Sequence, residues 1–123
     1  MSLETRLRIA IPGVAALLGV LAWTVPATAH QGLAPNVSVI AGSPAEFKFK
    51  LSSSSVSHGP VIFNVANRGK LAHDFSIGGR KTPLINPGKS NTLRVTLRKG
   101  SFPYKCTVPG HAAAGMKGTL RVT

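Results

Sequence analysis

After residue 30, the sequence consists of short apolar runs separated by turn residues, and this pattern constrains the fold more than any other feature. From Ala45 to Leu51 every second residue is apolar, as in a strand with one buried face. The alternation recurs from Leu93 to Leu97, and Val61 to Ala66 is an almost continuous apolar run. No stretch of this region has the 3.6-residue period of an amphipathic helix. The pattern therefore predicts an all-β domain.

Seven short strands are predicted, and they occupy about 94 residues, a density typical of a β-sandwich or a small barrel. Their ranges are Val37 to Ala41, Ala45 to Leu51, Val61 to Ala66, Leu71 to Ile77, Leu93 to Leu97, Phe102 to Cys106 and Gly118 to Thr123. The apolar side chains expected to fill one core are Phe47, Phe49, Phe63, Val65, Phe75, Leu93, Val95, Leu97 and Leu120.

The first 29 residues have the three parts of a secretory signal. Arg6 and Arg8 precede an apolar run from Ile9 to Val25, and Ala27-Thr28-Ala29 is a cleavage site of small residues. We therefore expect export to the periplasm or another extracytoplasmic compartment, with residues 30–123 as the mature domain. The alternative is a retained membrane anchor, although the apolar run is near the lower limit of about 17 residues for a spanning helix.

Basic residues outnumber acidic ones strongly, with 15 Lys and Arg against 3 Asp and Glu. Only Glu46 and Asp74 remain as acids after residue 29. A charge balance of this kind favours anionic partners. An exported protein meets little nucleic acid, so an acidic protein is the expected partner rather than DNA or RNA, and the membrane is a partner only if residues 1–29 are retained.

Cys106, His111 and Met116 follow one another at intervals of five residues, and each is a metal-ligand type. Because Cys106 is the one cysteine, an intrachain disulfide and an all-cysteine zinc site are excluded. Two imidazoles and a thiolate in a plane, with a weak axial thioether, form a blue copper site. His73 is the candidate for the second imidazole, so one copper ion per chain is the expected cofactor.

The sequence resembles the cupredoxins, the small blue copper proteins, over about residues 36–123. The resemblance is strongest in Val65 to Gly69, Ala72 to Phe75 and Cys106 to Met116. It implies a Greek-key β-sandwich of about seven to eight strands. It also implies that His73, Cys106 and His111 are the equatorial ligands, that Met116 is the axial ligand, and that the protein passes single electrons between larger redox proteins.

Asp74 follows the first ligand histidine, where the family often has Asn. Its backbone N–H is expected to donate to the sulfur of Cys106, and its carboxylate to accept from Thr107. These contacts would join the two ligand loops, and such outer bonds orient ligands and tune a metal's potential. A carboxylate near copper favours Cu(II), so Asp74 is expected to lower the reduction potential.

The resemblance also implies that the ring edge of His111 lies near the surface within an apolar patch. The residues expected to form this patch are Val108, Pro109, Ala112, Ala113 and Ala114. Lys105 and Lys117 flank the ligand segment and are expected to steer an acidic redox protein, such as a cytochrome or an oxidase subunit. Brief redox encounters use small interfaces, and the protein is expected to be a monomer.

Four protein ligands leave no open coordination position for a substrate, so no enzyme activity is expected. A different function stays open at this point: a copper-binding or copper-delivery protein in extracytoplasmic copper homeostasis. In that case His30, as the new N-terminus, would supply an amine and a ring nitrogen to copper. A buried four-ligand site favours electron transfer, because delivery requires ready release of the ion.

Overall fold

The structure of the protein is a computed structural model that describes residues 10, 12–13, 15–16, 19–25 and 32–123. Most of the predicted signal segment, and His30, lie outside the described residues. The chain divides into two units, Met1–His30 and Gln31–Thr123. No helix among the described residues combines the length and apolar character needed to cross a membrane.

The second unit is built from strands arranged in two sheets. The strands are β1 (Asn36–Ala41), β2 (Phe49–Leu51), β3 (Ser55–Val56), β4 (Gly59–Asn67), β5 (Ser76–Ile77), β6 (Arg80–Lys81), β7 (Ser90–Leu97), β8 (Gly100–Lys105) and β9 (Lys117–Val122). The first sheet has the order β2-β1-β4-β7 and the second the order β3-β9-β8-β5-β6. The β1–β4 and β3–β9 pairs are parallel, and the other pairs are antiparallel.

The core forms between the two sheets because alternate residues of the long strands face inward. In β4 the inward residues Val61, Phe63 and Val65 are buried, and in β7 every second residue from Leu93 to Leu97 is buried. The ring of Phe63 lies 5.2 Å from that of Phe75, measured between centroids. The predicted two-sheet, all-β fold is therefore confirmed.

The described residues contain nine strands rather than the predicted seven to eight. The additional strands, β3 and β6, have two residues each. Two residues are too few to show an alternation, and β3 begins at the last residue of a run of serines, Ser52 to Ser55. These short strands extend the two edges of the second sheet.

The prediction for Ala45 to Leu51 was wrong over its first half, because β2 begins only at Phe49. The N–H of Lys48 donates to the carbonyl of Ala45, and the carbonyl of Lys48 accepts from Gly42, which closes a tight loop. Phe47 was also expected in the main core. It packs instead against the separate small cluster that contains Cys106 and Met116.

The predicted strand from Leu71 to Ile77 is mostly a loop, and only Ser76–Ile77 pairs as a strand. His73 forms an isolated bridge with Ile85, in which each backbone N–H donates to the other's carbonyl at 3.1 and 2.7 Å. The buried side chain of Asn67 fixes this loop by donating to the carbonyls of Leu71 and Ile85, both at 2.8 Å. The side chain of Asn67 thus takes the place of the backbone hydrogen bonds that a neighbouring strand would form.

The β1–β2 loop and the loop that follows β4 approach each other closely at two glycines, Gly42 and Gly69. Gly42 has a φ of +79°, and a Cβ on it would lie 2.5 Å from the Cα of Gly69. Gly88 has nearly the same φ, +78°, but a Cβ there would meet nothing within 4 Å.

Alanine substitution at Gly42 and at Gly88 separates backbone strain from close approach. We expect Gly88→Ala to lower the free energy of unfolding by about 1–2 kcal/mol, the cost of a left-handed conformation. Gly42→Ala should lower it by about 3 kcal/mol or more, because the backbone of Gly69 must also move. Urea unfolding followed by circular dichroism measures both. Equal losses in the two variants would contradict the close approach.

Candidate metal centre

Four potential metal donors meet at one end of the sandwich because the sheets bring three chain segments together. His73 lies in the loop after β4, Cys106 directly follows β8, and Met116 directly precedes β9. Lys105 and Lys117 are directly opposite each other in the β8–β9 ladder, so the next residues, Cys106 and Met116, are adjacent. The N–H of Cys106 donates to the carbonyl of Met116 at 3.1 Å.

The segment between these two donors folds back on itself and carries His111. The N–H of His111 donates to the carbonyl of Val108, and that of Met116 donates to the carbonyl of His111, both at 3.1 Å. Gly110 permits the turn, because its φ of +83° lies in the region that favours glycine. The ring of His111 is thereby directed toward Cys106 and His73.

The donor atoms of His73, Cys106 and His111 form a compact triangle. The two Nδ1 atoms are 3.1 Å apart, and they lie 3.9 Å (His73) and 3.6 Å (His111) from the sulfur of Cys106. A point equidistant from the three atoms is about 2.1 Å from each, within the range of about 2.0–2.3 Å for metal bonds to nitrogen and sulfur. These residues therefore fit a metal ion, and a His₂Cys triangle with a nearby Met is the donor set of blue copper.

The donors are shielded from water to different degrees. Cys106 and Met116 are buried in one small cluster with Ala41, and His73 is also fully buried. His111 is half-buried. Burial raises the pKa of the Cys106 thiol, and the nearby backbone groups of Asp74 and Val108 oppose this shift. A thiolate at this depth needs a cation beside it, which a bound metal provides.

Asp74 contacts Thr107 as the sequence predicts. One oxygen of the buried Asp74 carboxylate accepts from the Thr107 N–H at 2.6 Å, and the other accepts from the Thr107 hydroxyl. The backbone of Asp74 also lowers the pKa of the Cys106 thiol, and the expected donation from its N–H to the sulfur stays a prediction. The two bonds with Thr107 join the loop that carries His73 to the segment that carries Cys106.

Sequence reasoning missed Glu46, which it placed on the outer face of a strand. Its carboxylate lies 2.8 Å from Nε2 of His73 and accepts from the N–H groups of Lys70 and Leu71 at 2.8 and 2.9 Å. These backbone donors, followed by His73, lower the pKa of Glu46 to about 2. The one signal available in the sequence was rarity, because Glu46 is one of two acids after residue 29.

The predicted apolar docking residues lie within three positions of the half-buried His111 in the chain. Pro109, Ala113 and Ala114 are exposed, and Val108 and Ala112 are half-buried. The ring of Phe47 meets that of His111 edge-on, with centroids 5.0 Å apart. The residues next to this candidate ligand in the chain are therefore apolar and at least partly exposed, and their role in docking stays a prediction.

Comparison with known proteins identifies the family. Residues 34–123 match the copper binding proteins of the plastocyanin/azurin family. Auracyanin-B of Chloroflexus aurantiacus is 49% identical over 43 residues, which are 34% of this chain and 18% of that protein. The copper-resistant cuproprotein CopI of Vibrio cholerae is 27% identical over 108 residues, which are 70% of this chain and 64% of that protein. The chain thus spans less than two thirds of the length of both relatives.

Solved structures agree with this match. Auracyanin B superposes with a TM-score of 0.61 and 27% identity, covering 73% of this chain and 89% of the other. Rusticyanin from Thiobacillus ferrooxidans superposes with a TM-score of 0.64 over 75% of this chain and 79% of the other, and at 22% identity this likeness shows the fold alone. The chain belongs to the plastocyanin/azurin family, so it is a cupredoxin and a blue copper protein with copper as its cofactor.

The buried charge of Asp74 should influence the copper potential. In Asp74→Asn the amide can keep both contacts with Thr107 while the negative charge is lost. We expect the reduction potential to rise, with Cu(II) binding weakened up to about tenfold relative to Cu(I), equivalent to about 59 mV for one electron. Protein-film voltammetry of the copper-loaded chain measures the change. An unchanged or lowered potential would contradict the effect.

Proposed function

We propose that the protein is an exported one-electron carrier that docks briefly with larger redox proteins. The observation that carries this proposal is the unequal burial of the four candidate ligands. His73, Cys106 and Met116 are closed to solvent, whereas His111 reaches a small apolar surface. Such a site restricts the approach of small molecules but allows another protein to come close to one ligand.

Copper supplies one-electron redox chemistry when it is bound at this site. In the proposal His73, Cys106 and His111 would hold the ion, and Met116 would supply a weak thioether ligand. The buried cluster excludes water, and the bonds of Asp74 and Glu46 keep the ligand loops in place. Since all the ligand positions are then filled by side chains, the proposed protein is not an enzyme.

The proposed partner is an acidic redox protein, such as a cytochrome or an oxidase subunit, that meets a monomer of this chain. All 13 Lys and Arg side chains between residues 32 and 123 are exposed. Lys105 faces Lys117 directly on β9, and on its other side it faces Ser76, which in turn faces Lys81. Lys81, Lys105 and Lys117 form a lysine row across the sheet. Like charges directly opposite each other destabilise a sheet, so this lysine row favours a negatively charged partner.

A second function is favoured by one specific observation, the likeness to CopI over 70% of the chain. A role in extracytoplasmic copper homeostasis would use the same ligands but would require release of the ion to another protein. The burial of three of the four candidate ligands opposes rapid release. Electron transfer therefore remains the function that the geometry favours.

Copper loading tests the site and the proposed redox function together. We expect the chain to show an intense visible thiolate-to-copper band that disappears on reduction and returns on oxidation. Cys106→Ser should lose this band, because the charge-transfer donor is removed, while Lys50→Gln, at an exposed position of β2, should keep it. Copper that binds without the band, or that leaves readily to a chelator, would favour copper handling instead.

The docking proposal predicts a strong dependence on ionic strength. Replacing both Lys105 and Lys117 by Gln should slow electron transfer to an acidic c-type cytochrome about tenfold at low salt, because attraction is weakened. The matched control replaces Arg94, an exposed residue of β7 in the other sheet, and Arg98, which directly follows that strand, and it loses the same charge. Stopped-flow absorbance gives the rates. Equal slowing by both pairs, or rates independent of salt, would contradict docking at the lysine row.

Export is proposed from residues 1–29 and has its own test. Expressed with its full sequence in a bacterial host, the protein should appear in the periplasmic fraction with His30 as its first residue. Mass spectrometry of the purified protein determines the cleavage position. Recovery of the intact chain from membranes would instead indicate a retained anchor.

A further inference from the structure

We propose that Glu46 is a positioning residue for the copper centre, and that its carboxylate orients His73 so that Nδ1 is the nitrogen presented to the metal. The proposal concerns a residue outside the expected ligand set. It applies whether the protein carries electrons or handles copper, because both functions require the same ring orientation.

The geometry defines which nitrogen of His73 carries the proton. Nε2 lies 2.8 Å from a carboxylate oxygen of Glu46, whereas Nδ1 faces Nδ1 of His111 and the sulfur of Cys106. An ionised carboxylate only accepts hydrogen bonds, so Nε2 must donate to it. A neutral imidazole has one N–H, and Nδ1 is then left with a free lone pair. A metal ligand needs this tautomer.

The Glu46 carboxylate is itself held in place by the backbone. Its two oxygens accept from the N–H groups of Lys70 and Leu71, in the loop that leads to His73. The next residue, Phe47, contacts the ring of His111. Two consecutive residues of the β1–β2 loop thus contact both histidines, and this explains why the chain leaves the strand conformation before Phe49.

The charge of Glu46 should also act on the metal. A histidine whose ring N–H donates a hydrogen bond to a carboxylate becomes a more basic metal ligand at its other nitrogen. A more basic ligand favours the more highly charged Cu(II). The 30–123 region has 13 basic residues and only two acids, and both acids bond to groups of this site. The few negative charges of the domain are therefore placed where a bound cation needs them.

Two variants of Glu46 separate its charge from its hydrogen bond. Glu46→Gln keeps an oxygen that accepts from Nε2 but removes the charge, and we expect Cu(II) binding to weaken about tenfold relative to Cu(I), which raises the potential by about 59 mV. Glu46→Ala removes both, and we expect copper affinity to fall about 10–100-fold. Voltammetry and competition with a copper chelator measure these quantities on the copper-loaded full chain.

Nitrogen-15 NMR of the Cu(I) protein gives a readout that does not depend on activity. The Nε2–H of His73 should exchange slowly with water in the native protein and in Glu46→Gln, but rapidly in Glu46→Ala. Thr96→Lys, at an exposed position of β7, adds the same +1 to the net charge and should leave both the potential and this exchange unchanged.

Each result decides the proposal. It is supported if the potential rises in Glu46→Gln and not in Thr96→Lys, with loss of Nε2–H protection in Glu46→Ala. It is overturned if Glu46→Gln leaves the potential unchanged, if Thr96→Lys shifts it equally, or if Nε2–H stays protected in Glu46→Ala. If Glu46→Ala does not fold, the comparison of Glu46→Gln with Thr96→Lys is sufficient.

Discussion

The structure depends on holding a buried thiol and three other metal donors together at one end of a sandwich. The β8–β9 register positions two of the donors, because Lys105 and Lys117 are directly opposite each other and Cys106 and Met116 are therefore neighbours. A third donor, His73, lies in a loop that is not part of a strand ladder. The buried amide of Asn67 fixes the backbone around His73 by donating to the carbonyls of Leu71 and Ile85. A rigid ladder and a loop cross-linked by side chains thus meet at the metal centre.

Charge is distributed over the domain in a way that serves this centre. Every cation between residues 32 and 123 is on the surface, whereas Asp74 is buried against Thr107 and Glu46 is bonded to His73. A buried carboxylate without a cationic partner is costly, and a bound copper ion supplies that partner. Neither of the two acidic side chains between residues 32 and 123 is fully exposed, so the charge of the surface cations is available for partners outside the chain.

The parts of the fold that were predictable are those determined by local sequence. Long strands such as β4 and β7 show their alternation directly, and the even spacing of Cys106, His111 and Met116 indicates one metal-binding segment. Glu46 was not predictable in the same way, because its contact with His73 joins positions 27 residues apart. The alternation around it is genuine but misleading: Phe47 is apolar because it packs against the metal cluster rather than the main core. The two-residue strands depend on their neighbours in the sheet and have no signal of their own.

The backbone bonds within the segment from Cys106 to Met116 have a consequence for how such a protein can change. Val108, His111 and Met116 are joined to one another or to Cys106 by hydrogen bonds that begin and end inside the segment. The segment is consequently a cassette whose backbone-to-backbone hydrogen bonds are largely internal, inserted between two strands whose register is set elsewhere. The bonds that link it to the loop of His73 run from Thr107 to Asp74. Its length and composition can vary during evolution without altering the sheets, whereas the environment of His73 is tied to residues spread over the domain. Diversity of the metal site is therefore expected to arise mainly by exchange of this cassette.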